Sequence, residues 1–219
     1  MERAIRFMAP VIPQTTEQLF GAIDNLLQQG TTKIRLLIST PGGSVFHGLS
    51  IYNFLKGLPI EVDTYNFGSV DSIGVVIFCA GGNRFTVPHS RFLIHSVKFN
   101  INQPVSMDEK QLEEHLKSLQ IDERNIAKVI ADTANKKTED LLKDMINRTT
   151  LNPDQAKDYG LVHEVKHELI APNMQITTIG EPIQGHPNSQ RQFIVPSMKA
   201  VSEPNVKSYT ENVSTLITS

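Results

Sequence analysis

The feature that most constrains this chain is a junction that occurs twice, in which an apolar, β-branched run ends in small residues and passes at once into a helix-period segment. Ile34 to Ser39 leads into Thr40-Pro41-Gly42-Gly43 and then a helix from Ser44 to about Leu55. A strand around Ile60 to Tyr65 leads into Gly68-Ser69-Val70-Asp71-Ser72 and a further apolar helix, about Ile73 to Ala80. Buried strands that feed directly into helices require crossover connections, so the pattern predicts a crossover α/β architecture of stacked β-β-α or β-α units, not a sandwich or a bundle. The alternation runs to about Val165.

Local signals place the remaining elements. Thr15 and Gln18 read as the capping box of a first helix, with Leu19, Ile23, Leu26 and Leu27 on one face and Gly30 as its stop. Short strands are expected at Arg84 to Val87 and Phe92 to His95. The longest helix is expected to start near Ser106, capped with Glu109, with Leu112, Leu116, Leu119, Ile126 and Ile130 on one stripe. Further helices begin at Thr138 and at Asn152-Pro153, the latter an N-cap with proline in the first helical position.

Beyond about Leu169 the composition turns to Pro, Asn, Ser, Thr and Gln, with short apolar runs at Gln175 to Ile179 and Phe193 to Val195. Such a segment cannot build its own core. It crosses to a neighbouring subunit or lies along its own domain edge, and the sequence leaves both open. The expected organisation is a catalytic domain over 1–168 and a C-terminal extension over 169–219.

A chain of 219 residues with 39% hydrophobic content supports one full core. Its formal net charge of -2, from 21 basic and 23 acidic side chains, gives no field that would recruit nucleic acid or an anionic membrane. Cys79, the only cysteine, sits in VVIFCAGG and reads as a buried small hydrophobe. No apolar segment has membrane length, so the default compartment is the cytoplasm.

Acyl transfer needs an activated hydroxyl, a base, and N–H donors where the oxyanion forms. Ser72 stands at a strand-to-helix turn, where the first N–H groups of the helix are unpaired. A serine there is more often an N-cap, and Pro41-Gly42-Gly43 is by itself an ordinary tight turn. Asp71 either caps the same helix or, by its charge, disfavours acidic substrates or raises the effective pKa of the serine.

The order STPGGSVFHGLSIYNFLK, then GSVDSIG, then RFTVPHSRFLIH, resembles the Clp protease proteolytic subunit, of the Clp-protease/crotonase superfamily, from about Arg6 to Val165 and including AKDYGLVHEV. The resemblance implies a stacked β-β-α superhelix with a long handle-type helix. It implies a serine endopeptidase without metal or cofactor, acting on peptides or unfolded proteins in a homo-oligomeric ring. Carried over residue by residue, it makes Ser72 the nucleophile, His95 the general base, and the N–H groups of Gly43 and Ile73 the oxyanion hole.

Three departures accompany the resemblance. Arg148 stands where the family carries the aspartate that orients its histidine, and a guanidinium cannot accept an imidazole N–H. Asn147 is the expected replacement, with Asp144, Thr149 or a backbone carbonyl as alternatives, and Asn147→Ala is then expected to lower turnover. The chain begins at the family's first core strand, without the preceding segment that builds axial pore loops, which leaves an ATPase partner open. Ser96-Val97-Lys98-Phe99 replaces the family's Gln-Pro start to the ring–ring contact. The rival functions are acyl-CoA chemistry of the crotonase branch, disfavoured by a serine and a histidine at the protease positions, and a scaffold or regulatory subunit in which Arg148 marks decay of the triad.

Overall fold

The computed structural model describes residues 1–98, 106–180 and 191–194. Three parallel strands, β1 (Glu2–Met8), β2 (Lys33–Thr40) and β3 (Glu61–Asp71), are joined by α1 (Pro13–Gln28) and α2 (Val45–Gly57). Parallel neighbours need such long crossovers, which is the expected architecture. After α3 (Ile73–Phe78), the short strands β4 (Arg84–Thr86) and β5 (Arg91–Leu93) return to β3. There follow α4 (Glu109–Ala134), α5 (Thr138–Ile146), β6 (Thr150–Leu151), α6 (Pro153–Asp158), β7 (Glu164–Val165), β8 (Gln175–Gly180) and β9 (Arg191–Ile194). The strands form one mixed sheet in the order β6-β5-β3-β2-β1-β8-β9, with β4 linking β3 to β7.

Side chains alternate across the sheet. Ile5, Phe7, Leu36 and Ile38 are fully buried with the apolar residues of α1, α2 and α3. The opposite face holds a smaller cluster of Ala4, Leu37, Tyr65, Phe85, Met174 and Ile176. Met174 and Ile176 come from the segment past Leu169, so that segment contributes to the packing. β8 runs parallel to β1, with Ile5 opposite Thr177 and Phe7 opposite Ile179, and therefore lies along the edge of its own domain. Residues 181–190 and 195–219, most of the expected extension, lie outside the described residues, as do Phe99 and Val195.

Two helix starts differ from the sequence expectation. α1 begins at Pro13 with Ile12 as N-cap, and Thr15 is already inside it: its hydroxyl donates to Pro10 O at 2.7 Å, and Ile12 N donates to it at 3.2 Å. Proline at the first helical position loses no N–H that the helix needs, so no Thr15–Gln18 box is required. α4 is capped reciprocally by Asp108 and Gln111, two residues after Ser106. Its stripe divides: Ile126 and Ile130 are buried, whereas Leu112 and Leu116 are 55% and 57% exposed.

The element that positions the site is β3, which runs six residues past the expected end at Tyr65. Its first half pairs with β2 and β4; the register then shifts, and Ser69 to Asp71 pair with β5. Buried Asn66 holds this change of partner, donating from Nδ2 to Arg91 O (2.8 Å) and accepting from Gly68 N (3.0 Å). Among the described residues no helix is long and apolar enough to cross a membrane.

Candidate active site

Ser72 is the single residue between β3 and α3. Its backbone has φ 59° and ψ -128°, a conformation that costs a non-glycine residue roughly 1–3 kcal/mol. The surroundings hold it there: Ser72 N donates to Leu93 O at 2.8 Å, and Val75 N donates to Ser72 O at 3.0 Å. Its hydroxyl makes no cap bond to α3. The ordinary use of a serine before a helix is thus not the use made of Ser72.

The double-glycine turn is pressed against this elbow. A Cβ on Gly42 would lie 2.7 Å from Ser72 Cβ and 3.3 Å from its Oγ. At Gly43 φ is +148°, and a Cβ would lie 2.3 Å from Val11 O. Val11 N donates to Gly42 O and Ser44 N donates to Val11 O, both at 2.8 Å. That bridge uses the groups on either side of Gly43 and leaves the Gly43 N–H out of it. The Ile73 N–H opens α3 and has no preceding turn to bond.

His95 follows β5 by two residues. Because Asp71 pairs with Leu93, the ladder brings the chain just after Ser72's strand beside the chain that carries His95. Ile94 N donates to Thr149 O (2.9 Å) and Ser96 N to Met145 O (3.1 Å), clamping both neighbours of His95 to the end of α5. His95 Nδ1 lies 2.7 Å from Ser96 O. A carbonyl only accepts, so in the neutral ring Nδ1 carries the proton and Nε2 keeps the lone pair that a general base uses. Among the described residues no hydrogen bond joins Ser72 Oγ to His95; such bonds often tighten only in the substrate complex.

The group that meets the His95 ring is therefore the Ser96 main-chain carbonyl, not the Asn147 side chain that the sequence favoured. Asn147 caps the C-terminus of α5 with an exposed side chain. Arg148 is exposed, at φ 55°. Asp144 accepts the Tyr159 hydroxyl, and Thr149 Oγ1 donates to Asp144 O at 2.9 Å. Burial, then this bond to Asp144, drives the Tyr159 phenol well above its usual range. Each alternative side chain is committed elsewhere, and a main-chain acceptor leaves no residue-type signal in a sequence.

Asp71 also departs from expectation. It does not cap α3: Oδ1 accepts from Ser69 Oγ (2.8 Å) and Oδ2 from Arg91 Nη2 (2.8 Å), with 11% of its side chain exposed. Cys79 is buried at the end of α3, where desolvation pushes its thiol up to about 12. Among the described residues no group of three or more His, Cys, Asp and Glu is placed to hold a metal.

A serine at positive φ between a strand and a helix of a mostly parallel sheet is the backbone geometry of a nucleophile elbow, here in an α/β protein. Comparison with known proteins narrows the class. The chain belongs to the Clp protease family, whose model matches residues 1–168. It is similar to the ATP-dependent Clp protease proteolytic subunit 2 of Corynebacterium efficiens, 30% identical over 167 residues, or 75% of this chain and 82% of that one. Subunit 3 of Rhodococcus jostii is 33% identical over 151 residues, covering 67% of this chain and 73% of its own length. Among solved structures, an asparagine-to-aspartate mutant of ClpP1 from Listeria monocytogenes matches with a TM-score of 0.66 and 26% identity, over 76% of this chain and 92% of that one.

Proposed function

We propose that this chain is a serine endopeptidase that hydrolyses peptides or unfolded proteins through an acyl-enzyme. The observation that carries this is the Ser72 elbow: a strained backbone presents an uncapped hydroxyl against the Gly42-Gly43 turn. Ser72 Oγ attacks the peptide carbonyl carbon while His95 Nε2 takes its proton, and the Gly43 and Ile73 N–H groups donate to the resulting oxyanion. The imidazolium then gives that proton to the leaving amine; water, deprotonated by the same nitrogen, attacks the acyl carbon, and the proton returns to Ser72 Oγ as the ester bond breaks and the acid leaves. No metal or cofactor enters this sequence.

The Ser96 carbonyl is the group proposed to hold the His95 tautomer. It fixes the proton on Nδ1 as a carboxylate would, but adds no full charge to stabilise the imidazolium. A slow or conditional enzyme follows. The exposed half of α4, where Leu112 and Leu116 stand uncovered, is the apolar surface through which a homo-oligomeric ring would assemble. The relatives' ATP dependence makes an ATPase the natural partner to test, and the cytoplasm the natural compartment.

A scaffold or regulatory subunit is the second reading, favoured by Arg148 at the family's carboxylate position and by the open Ser72–His95 pair. A peptidase assay at several protein concentrations, to allow assembly, separates the two. The proposal expects turnover that Ser72→Ala reduces to background. Turnover absent at every concentration, or unaltered in Ser72→Ala, favours the scaffold.

A further inference from the structure

We propose that the cleft on the second face of the sheet is a subsite for an acidic residue of the substrate, with Arg91 as its specificity-determining residue; this rests on the peptidase reading above. The cleft lies at the carboxyl ends of β1, β2, β3 and β8, where α/β sheets usually bind ligands. Its volume is about 870 Å³, within the roughly 300–1,000 Å³ of typical ligand sites. Pro41 and Asp71 line it, and each immediately precedes a proposed site element, Gly42 or Ser72. The wall of the cleft is thus continuous in chain with the double-glycine turn and with the Ser72 elbow.

The charges in the cleft select an anion. Among the described residues its lining carries the guanidinium groups of Arg6 and Arg91 and the carboxylate of Asp71, and Arg6 also donates to Thr178 Oγ1. Both Asp71 oxygens already accept, from Ser69 and Arg91, so that carboxylate is internally satisfied. Arg91 meets it through Nη2 alone and is 50% exposed. That pair commits one of five guanidinium N–H donors and leaves the fork able to take a second carboxylate. Met8 and Phe67 supply apolar wall for the methylene stem of a glutamate. The Asp71–Arg91 pair thus makes the cleft a carboxylate receptor instead of the acid-excluding site that an isolated Asp71 would form.

The test uses fluorescent peptides identical except for Glu or Gln, scanned through the positions flanking the scissile bond. Binding is read by anisotropy on full-length Ser72→Ala protein, and kcat/KM on the unmodified chain. At one position Glu is expected to be preferred about tenfold. Adding Arg91→Gln should abolish the preference, Arg91→Lys should keep part of it, and Asp71→Asn should increase it. Equal binding of both peptides, no binding of either, or a preference that survives Arg91→Gln overturns the subsite. Neutral peptides cleaved without a Glu preference sink the subsite and leave the peptidase intact. An Arg91-dependent Glu preference in binding, without cleavage, does the reverse.

Discussion

The two halves of the proposed site are built by different means. Around Ser72 the backbone is locked on every side: Leu93 O takes its N–H, Gly42 and Gly43 leave no room for a Cβ, and Val11 bridges both flanks of Gly43. His95 is half-buried on an irregular segment, held by main-chain bonds of its neighbours to the end of α5 and by its own bond to Ser96 O. The acyl-accepting half is thus fixed by steric exclusion, which tolerates almost no substitution. The base half is fixed by a few main-chain bonds, indifferent to most side chains nearby. In a site divided this way, the group that orients the base can change without disturbing the elbow.

The steric lock around Ser72 is most sensitive at Gly43. Its φ and the 2.3 Å clash with Val11 O predict that Gly43→Ala cuts turnover more than about 100-fold and costs at least ~2 kcal/mol of stability, read by peptide hydrolysis and thermal melting. A silent substitution there would refute the steric lock. At Arg148 the expected effect is smaller and of opposite sign. Aspartate accepts a left-handed backbone more readily than arginine does, and a carboxylate near His95 stabilises the imidazolium. Arg148→Asp should therefore raise kcat about tenfold; an unaltered kcat would mean that the Ser96 carbonyl already completes the base half.

Asn147→Ala should change kcat less than about twofold, because the exposed Asn147 side chain makes no bond to His95. A larger fall would restore asparagine as the orienting group. The smallest signal comes from Cys79, which reports whether the elbow's helix opens. With its thiol pushed up to about 12 it stays protonated, and buried, at pH 8, so iodoacetamide should leave it unmodified in the folded chain while labelling it in urea. Rapid labelling without denaturant would show α3 to be loose.

How much of this was legible depended on whether the signal was local. The α/β alternation, the Ser44 and Asn152 caps and the double-glycine turn are written in adjacent residues, and the family resemblance adds their order along the chain. The length of β3 was not legible, because it depends on a buried Asn66 reaching Arg91 O, 25 positions away. Neither was the attachment of β8 to β1, since Gln175 to Ile179 reads as an isolated run until its partner is known. Ile12 carries no polar cap signal, so the sequence points to Thr15 for the start of α1 although the helix begins at Pro13. The Asp71–Arg91 pair is a tertiary contact, 20 positions apart, while the Ser96 carbonyl lies next to His95 in the chain but is independent of which side chain stands at 96.

Ser72 is proposed to be a nucleophile whose activation comes from His95. That activation is tested most directly by treating the chain with a fluorophosphonate and mapping the adduct by mass spectrometry. One phosphonylated residue is expected, Ser72, modified far more slowly in His95→Ala and not at all in Ser72→Ala. An unmodified Ser72 in the assembled protein, or labelling at the same rate in His95→Ala, would contradict it.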